Sequence, residues 1–146
     1  MTVFGVYVHI PFCASKCDYC AFATWTDRHH LTDAYLAAVR REIAGAIDEG
    51  MPVADTIFVG GGTPSMVPGE DLAALIATVP SVSGAEVTVE CNPDDVTGEL
   101  LRALTDGGVN RISLGVQSMS RHVLTALGRT HDPENVARAV DAIGSV

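Results

Sequence analysis

An α/β fold built on a parallel sheet is predicted by three observations. The chain has four β-rich runs, each precedes a helical pattern, and its apolar stretches are short and broken by Gly, Pro or charge. The runs are Val3 to Ile10, Thr56 to Gly60, Ala85 to Glu90 and Arg111 to Val116. With 146 residues and 47% hydrophobic content, one domain with a real core is expected, too short for a large barrel enzyme.

The elements follow in order. After the first run comes a cysteine-bearing loop, then a helix from about Thr32 to Ile47 with Leu36, Val39, Ile43 and Ile47 on one stripe. Gly50 stops it. The second helix covers roughly Glu70 to Val79, with Glu70 and Asp71 in its first turn, where the macrodipole favours negative charge, and Leu72, Leu75 and Ile76 inward. Asn92-Pro93 reads as a turn ending the third strand. Thr97 caps the third helix, Gly107-Gly108 ends it, and Leu100, Leu101 and Leu104 face inward. A shorter helix spans Arg121 to Leu127. The last begins at Asp132-Pro133, an N-cap residue before proline, and is expected to pack through Val136, Val140 and Ile143.

Strand parity locates the polar chemistry, because alternate residues face opposite sides of a sheet. Tyr7 and His9 oppose Val6, Val8 and Ile10; Thr88 and Glu90 oppose Val87 and Val89; Ser113 and Gln117 oppose Ile112, Leu114 and Val116. His9, Glu90 and Gln117 are therefore expected to converge at the C-terminal rim, where parallel sheets place their active sites. Cys91 follows Glu90, points to the other face, and reads as a small buried hydrophobe.

The formal net charge of −9, with no local Lys/Arg cluster, argues against nucleic-acid binding. No run approaches the roughly 18 uncharged residues of a membrane span. Met1 to Ile10 lacks the basic start and small-residue cleavage site of an export signal, so a reducing cytoplasm is the expected compartment. There, clustered cysteines suggest metal chemistry before disulfides.

The strongest motif is Cys13-Ala14-Ser15-Lys16-Cys17-Asp18-Tyr19-Cys20, a Cys-x3-Cys-x2-Cys spacing directly after the first strand. Three thiolates on one loop can hold three irons of a cubane cluster and leave the fourth iron open to a chelating ligand, a position that a fourth cysteine would block. The alternatives are a structural zinc site completed by His9, His29 or His30, and plain buried thiols. Zinc knuckles usually pair ligands as Cys-x2-Cys, a poor match to this spacing. His9 otherwise reads as a satisfied inner-face histidine, His29 and His30 as solvated, and Trp25 as packing for the loop.

The segments VYVHIPFCASKCDYC, FVGGGTPS, VECNPDD and ISLGVQS, followed by Gly128-Arg129-Thr130-His131, resemble the radical S-adenosylmethionine superfamily, specifically its oxygen-independent coproporphyrinogen III oxidase-like branch. They occur in the family's order and cover nearly the whole chain. The true oxidase carries another Cys two positions beyond the third, where this chain has Phe22, and has an N-terminal extension; both differences favour the type represented by HemW-like haem chaperones. Ala21 and Ala23 stand where that type often carries Asp and Asn.

The resemblance implies a partial TIM-like (β/α) barrel, with four of its six βα units in residues 1–146 and the later units and C-terminal domain absent. It implies a [4Fe–4S] cluster on Cys13, Cys17 and Cys20, S-adenosylmethionine as cofactor and haem as a further ligand. It places Tyr19 beside the adenine, Tyr7 near the methionine carboxylate, Gly61, Gly62 and Thr63 at the methionine amino group, and Glu90, Gln117 and Arg129 near the ribose and carboxylate. Pro64 and Ser65 argue against a phosphate loop at these glycines. Glu90 as a surface strand end, Gln117 as a turn residue and Arg129 as an ion-pair partner of Asp132 are the structural alternatives. The expected functions are a truncated haem chaperone with partners haem or porphyrin and an unidentified electron donor, a radical oxidative decarboxylase of coproporphyrinogen III, or a non-catalytic zinc-binding or remnant domain. The open edge of the fourth strand invites self-association.

Overall fold

The computed structural model describes residues 3–146; Met1 and Thr2, which open the segment read above for an export signal, lie outside the described residues. Strands and helices alternate as β1 (Gly5–Ile10), α1 (Thr32–Asp48), β2 (Ala54–Gly61), α2 (Gly69–Ile76), β3 (Ser81–Cys91), α3 (Gly98–Asp106), β4 (Arg111–Leu114), α4 (Arg121–Ala126) and α5 (Pro133–Ile143). The sheet order is β1-β2-β3-β4 and every neighbouring pair is parallel. Crossovers between parallel strands are right-handed almost without exception, so consecutive ones stack their helices on one face of the sheet. Burial agrees: Val8, Ile10, Ile57, Val59, Val87 and Val89 share one core with Leu36, Ile43, Leu72, Leu75, Leu100 and Leu104. β1 and β4 are the edge strands among the described residues.

Glycines in the left-handed region end α1 and α3. Gly50 (φ 93°) and Gly108 (φ 90°) each stand just past a helix. The amides of Met51 and Val109 reach back to the carbonyls of Ala46 and Leu104 at 2.9 Å, the bonding of a Schellman cap. At the N-termini, Thr97 accepts from the Leu100 amide at 3.1 Å and Asp132 from the Glu134 amide at 3.0 Å, as their capping positions require.

Several boundaries differ from the sequence reading. α2 stops at Ile76 rather than Val79, because the Thr78 hydroxyl takes the Leu75 carbonyl at 2.7 Å and the last turn tightens to i→i+3 bonds. β3 starts earlier, at Ser81, but its register against β2 jumps from Ala54–Ser81 to Thr56–Glu86 around Gly84. β4 ends at Leu114 rather than Val116: the Val116 amide turns back to the Leu114 carbonyl at 2.9 Å, and Gln117 takes φ 57°. Two stripe positions are also corrected. Ile47 is 40% exposed and Val140 55% exposed, while Val136 and Ala139 carry the buried face of α5. A face wide enough to meet the sheet covers fewer positions at the ends of a helix than its periodicity suggests.

Leu104 is 1% exposed at the centre of α3's buried face. Leu104→Ala removes a fully buried side chain from the shared core, so a loss of about 2–5 kcal/mol is expected, read from the midpoint of denaturant unfolding.

Candidate functional site

β1 delivers the chain to its C-terminal rim, and Pro11-Phe12 carries it into the cysteine loop. The loop closes on itself at its base: the Cys13 amide donates to the Trp25 carbonyl at 3.1 Å, and the Trp25 amide to the Pro11 carbonyl at 2.8 Å. Trp25 thus ties the loop through its backbone, while its side chain is half-exposed. The Cys20 amide donates to the Cys17 carbonyl at 3.1 Å, a tight turn whose two cysteines both line the cavity described below. The distal part of the loop rests on the end of α4, where the Asp18 amide donates to the Leu127 carbonyl at 3.3 Å. Gly128 permits this contact, since a Cβ there would lie 3.1 Å from the Asp18 carboxylate.

The end of β2 meets the same loop from beneath. Gly62 and Thr63 donate their amides to the carbonyls of Ile10 and Phe12, each at 2.7 Å, which prolongs the β1–β2 pairing past the last strand residue. A Cβ on Gly62 would stand 2.6 Å from the Phe12 carbonyl oxygen and 2.8 Å from that of Ile10, so only glycine admits this approach of two backbones. Gly61, at φ 112°, donates its amide to Glu90 Oε2 at 3.1 Å. All three amides are committed, which leaves the carbonyl side of the segment to meet a ligand. The Thr63 hydroxyl donates to Cys13 Sγ at 3.6 Å.

Loop, glycine segment and strand ends enclose a cavity of about 290 Å³, near the lower end of the range for small-molecule sites. Its walls include Cys13, Cys17, Cys20, Tyr19, Gly61, Gly62, Thr63, Glu90, Gln117 and Arg129. Tyr7 is the one expected site residue outside the lining. Its ring stacks on Phe58, with centroids 6.2 Å apart, and its hydroxyl meets His9 Nδ1 at 3.0 Å. Burial and the nearby Glu90 carboxylate raise its phenol above the ordinary range. Of the trio expected to converge at the rim, Glu90 and Gln117 line the cavity and His9 does not. His9 spends its other nitrogen on the Ala23 carbonyl at 2.9 Å, which makes it a satisfied strut under the far end of the loop.

The positive wall comes from the α4–α5 connection. Gly128 (φ 66°) caps α4, and the Arg129 amide bonds the Leu124 carbonyl at 2.9 Å, which aims the guanidinium into the cavity. There Arg129 donates to the Gly115 carbonyl at 2.8 Å and to Cys17 Sγ at 3.6 Å. It makes no pair with Asp132, whose partner is Arg121 at 2.9 Å. Burial raises the Tyr19 phenol against the opposing pull of Arg129. Glu90 and Arg129 give the lining one anionic and one cationic wall. Sequence reasoning left Ser113, Asn92 and His131 out of the site; all three line it. Ser113 stands in register beside Glu90, a placement that strand parity carried without a chemical reason to single it out.

Cys91 differs from the loop cysteines. It is 3% exposed in the core, and burial, followed by the charges of Asp95 and Glu90, pushes its thiol up to about 12. Among the described residues, no group of three or more His, Cys, Asp and Glu side chains is placed to hold a single metal ion. Cys13, Cys17 and Cys20 all line the one cavity.

Residues 7–146 match the model of the radical SAM superfamily. The chain belongs to that superfamily. Within it, the chain is 40% identical over 138 residues to the haem chaperone HemW of Bacillus subtilis, a match covering 90% of this chain and 36% of that protein. Against HemW of Escherichia coli the figures are 38% over 142 residues, 92% and 37%. The chain thus spans a little over a third of the length of these relatives. The solved structure of the radical SAM enzyme coproporphyrinogen III oxidase (HemN) from Escherichia coli superposes with a TM-score of 0.86 at 27% identity, covering 98% of this chain and 34% of that one. The four parallel strands and their helices are therefore part of a radical SAM partial barrel. No helix among the described residues is long and apolar enough to cross a membrane.

Two outcomes follow from this geometry. Gly62→Ala forces apart two backbones that have no side chain to yield; the variant is expected to lose about 2 kcal/mol or more in stability and its metal uptake, read by unfolding and by iron analysis. In the metal-free chain at neutral pH, an alkylating reagent should modify Cys13, Cys17 and Cys20 and spare Cys91, as resolved by peptide mass mapping.

Proposed function

We propose that the chain binds a [4Fe–4S] cluster through Cys13, Cys17 and Cys20 and S-adenosylmethionine in the adjoining cavity, and that it forms part of a HemW-like haem-trafficking protein. The observation that carries the cofactor reading is the shared cavity, which the three loop thiols line together with Glu90 and Arg129. A zwitterionic amino-acid moiety fits a lining that carries both charges. Its ammonium would meet the carbonyl side of Gly61 and Gly62 near Glu90, and its carboxylate the Arg129 guanidinium, a paired geometry that lysine could not reproduce. Gln117 and Tyr19 would flank the nucleoside. Tyr7 is left with an indirect part, holding His9 under the loop. The cluster, when bound, supplies an electron to the sulfonium; the protein's part is to leave one iron without a side-chain ligand.

The haem-trafficking reading is supported by the likeness to HemW proteins and by Phe22. That side chain is 61% exposed and lines the cavity at the position where the oxidase-type sequence has its additional cysteine. A second reading, radical oxidative decarboxylation of a porphyrinogen, is favoured by the superposition on coproporphyrinogen III oxidase. In either case residues 1–146 would be the first four βα units of a core completed elsewhere, with β4 as the strand on which the next unit, or a second copy, would pair.

Anoxic reconstitution with iron and sulfide tests the cofactor reading. Visible absorption and a reduced-state electron-resonance signal that changes on adding S-adenosylmethionine are expected, and Cys17→Ser should abolish both. Colourless material, or zinc alone by metal analysis, would defeat the proposal. Haem titration and coproporphyrinogen III turnover, each with the remaining core supplied, separate the two biological readings.

A further inference from the structure

We infer that His131 is a ligand-contacting residue of this cavity, donating a hydrogen bond to the carboxylate of the bound small molecule beside Arg129. The inference rests on the cofactor reading above and adds a residue to it.

His131 is 4% exposed, lines the cavity, and neither of its ring nitrogens has a hydrogen-bond partner. A buried imidazole left wholly unpaired is rare, and such a group calls for a partner beyond the described residues. Its polar neighbours have partners of their own. Asp94 Oδ1 accepts from the Asp132 amide at 3.3 Å and from Asn135 Nδ2 at 2.7 Å. Asp132 Oδ1 accepts from the Glu134 amide and from Arg121. The Val116 backbone lies close enough to bias the imidazole towards protonation, and its carbonyl also accepts from the Ser118 amide at 2.6 Å.

Two groups define what the missing partner must be. Burial, and next the Arg129 guanidinium, hold the imidazole below its ordinary range, so it stands neutral with one N–H to give. Arg129 itself offers only donors. An acceptor that satisfies both is an anion, and a planar carboxylate can take the guanidinium on one side and the imidazole N–H on the other. Glu90, also in the lining, repels a carboxylate and so favours its place beside Arg129 and His131.

The test compares two ligands on the reconstituted chain: S-adenosylmethionine and its decarboxylated analogue, which keeps the sulfonium, ammonium and nucleoside. Wild type, His131→Phe and His131→Gln are measured by equilibrium dialysis under anoxic conditions, with iron and sulfide assayed in each. His131→Phe is expected to bind S-adenosylmethionine about tenfold more weakly, equivalent to about 1.4 kcal/mol, while its affinity for the analogue is unchanged. His131→Gln, which keeps an N–H donor, should restore most of the loss, and cluster content should be equal throughout. His131→Leu serves as a second apolar variant if the phenylalanine fails to fold. Equal weakening towards both ligands, or no weakening, overturns the inference while leaving the cofactor reading standing. If wild type itself binds neither ligand, the cofactor reading fails and this inference falls with it.

Discussion

Two backbone hydrogen bonds organise the site: those from Gly62 and Thr63 to the carbonyls of Ile10 and Phe12. They carry the β1–β2 ladder beyond the sheet and so fix where the first residue of the cysteine loop leaves the barrel. Their lengths, 2.7 Å each, are possible only because no Cβ stands between the chains at position 62. Cys13 follows at once, with Thr63 reaching its sulfur, so the position of the first thiol is tied to rigid strand geometry rather than to loop packing. A site built on strand ends keeps its shape more precisely than one carried by loops alone.

The rest of the loop is held by contacts of great sequence separation. Asp18 docks on the end of α4, and Arg129, from the turn after that helix, reaches Cys17 across 112 positions of chain. The same left-handed glycine serves both contacts. Gly128 lets α4 end in a Schellman cap, which aims Arg129, and its missing side chain makes room for Asp18. Cysteine loop and cationic wall are therefore one assembly, and a change in the α4–α5 connection acts on cluster geometry and on ligand charge together. His9 performs the matching task on the other flank, its two ring nitrogens joined to Tyr7 and to the Ala23 carbonyl.

Charge within the cavity is arranged more sharply than over the chain. The net charge of −9 sits mostly on helices and turns, whereas the cavity lining holds both Glu90 and Arg129. Low dielectric strengthens the pull of such charges on a ligand and also raises the cost of polar groups without partners. That cost explains why His131 stands out: among the described residues, its two nitrogens are the buried side-chain atoms with no bond.

Local rules made much of this protein readable before folding. Period-two alternation placed Val8, Val87 and Val89 in the core and Glu90 at the rim, and capping chemistry marked Thr97, Asp132 and Gly50, because each depends on a residue's immediate neighbours alone. The cysteine spacing and the glycines of β2 were visible for the same reason. What depends on distant segments was not legible. The exposure of Ile47 and Val140, the early end of β4, the diversion of Tyr7 to His9, the choice of Cys17 over Asp132 by Arg129 and the unpaired state of His131 are all decided by which surfaces meet across the sheet. Periodicity says which way a side chain leaves its own element; only tertiary packing determines what it finds there.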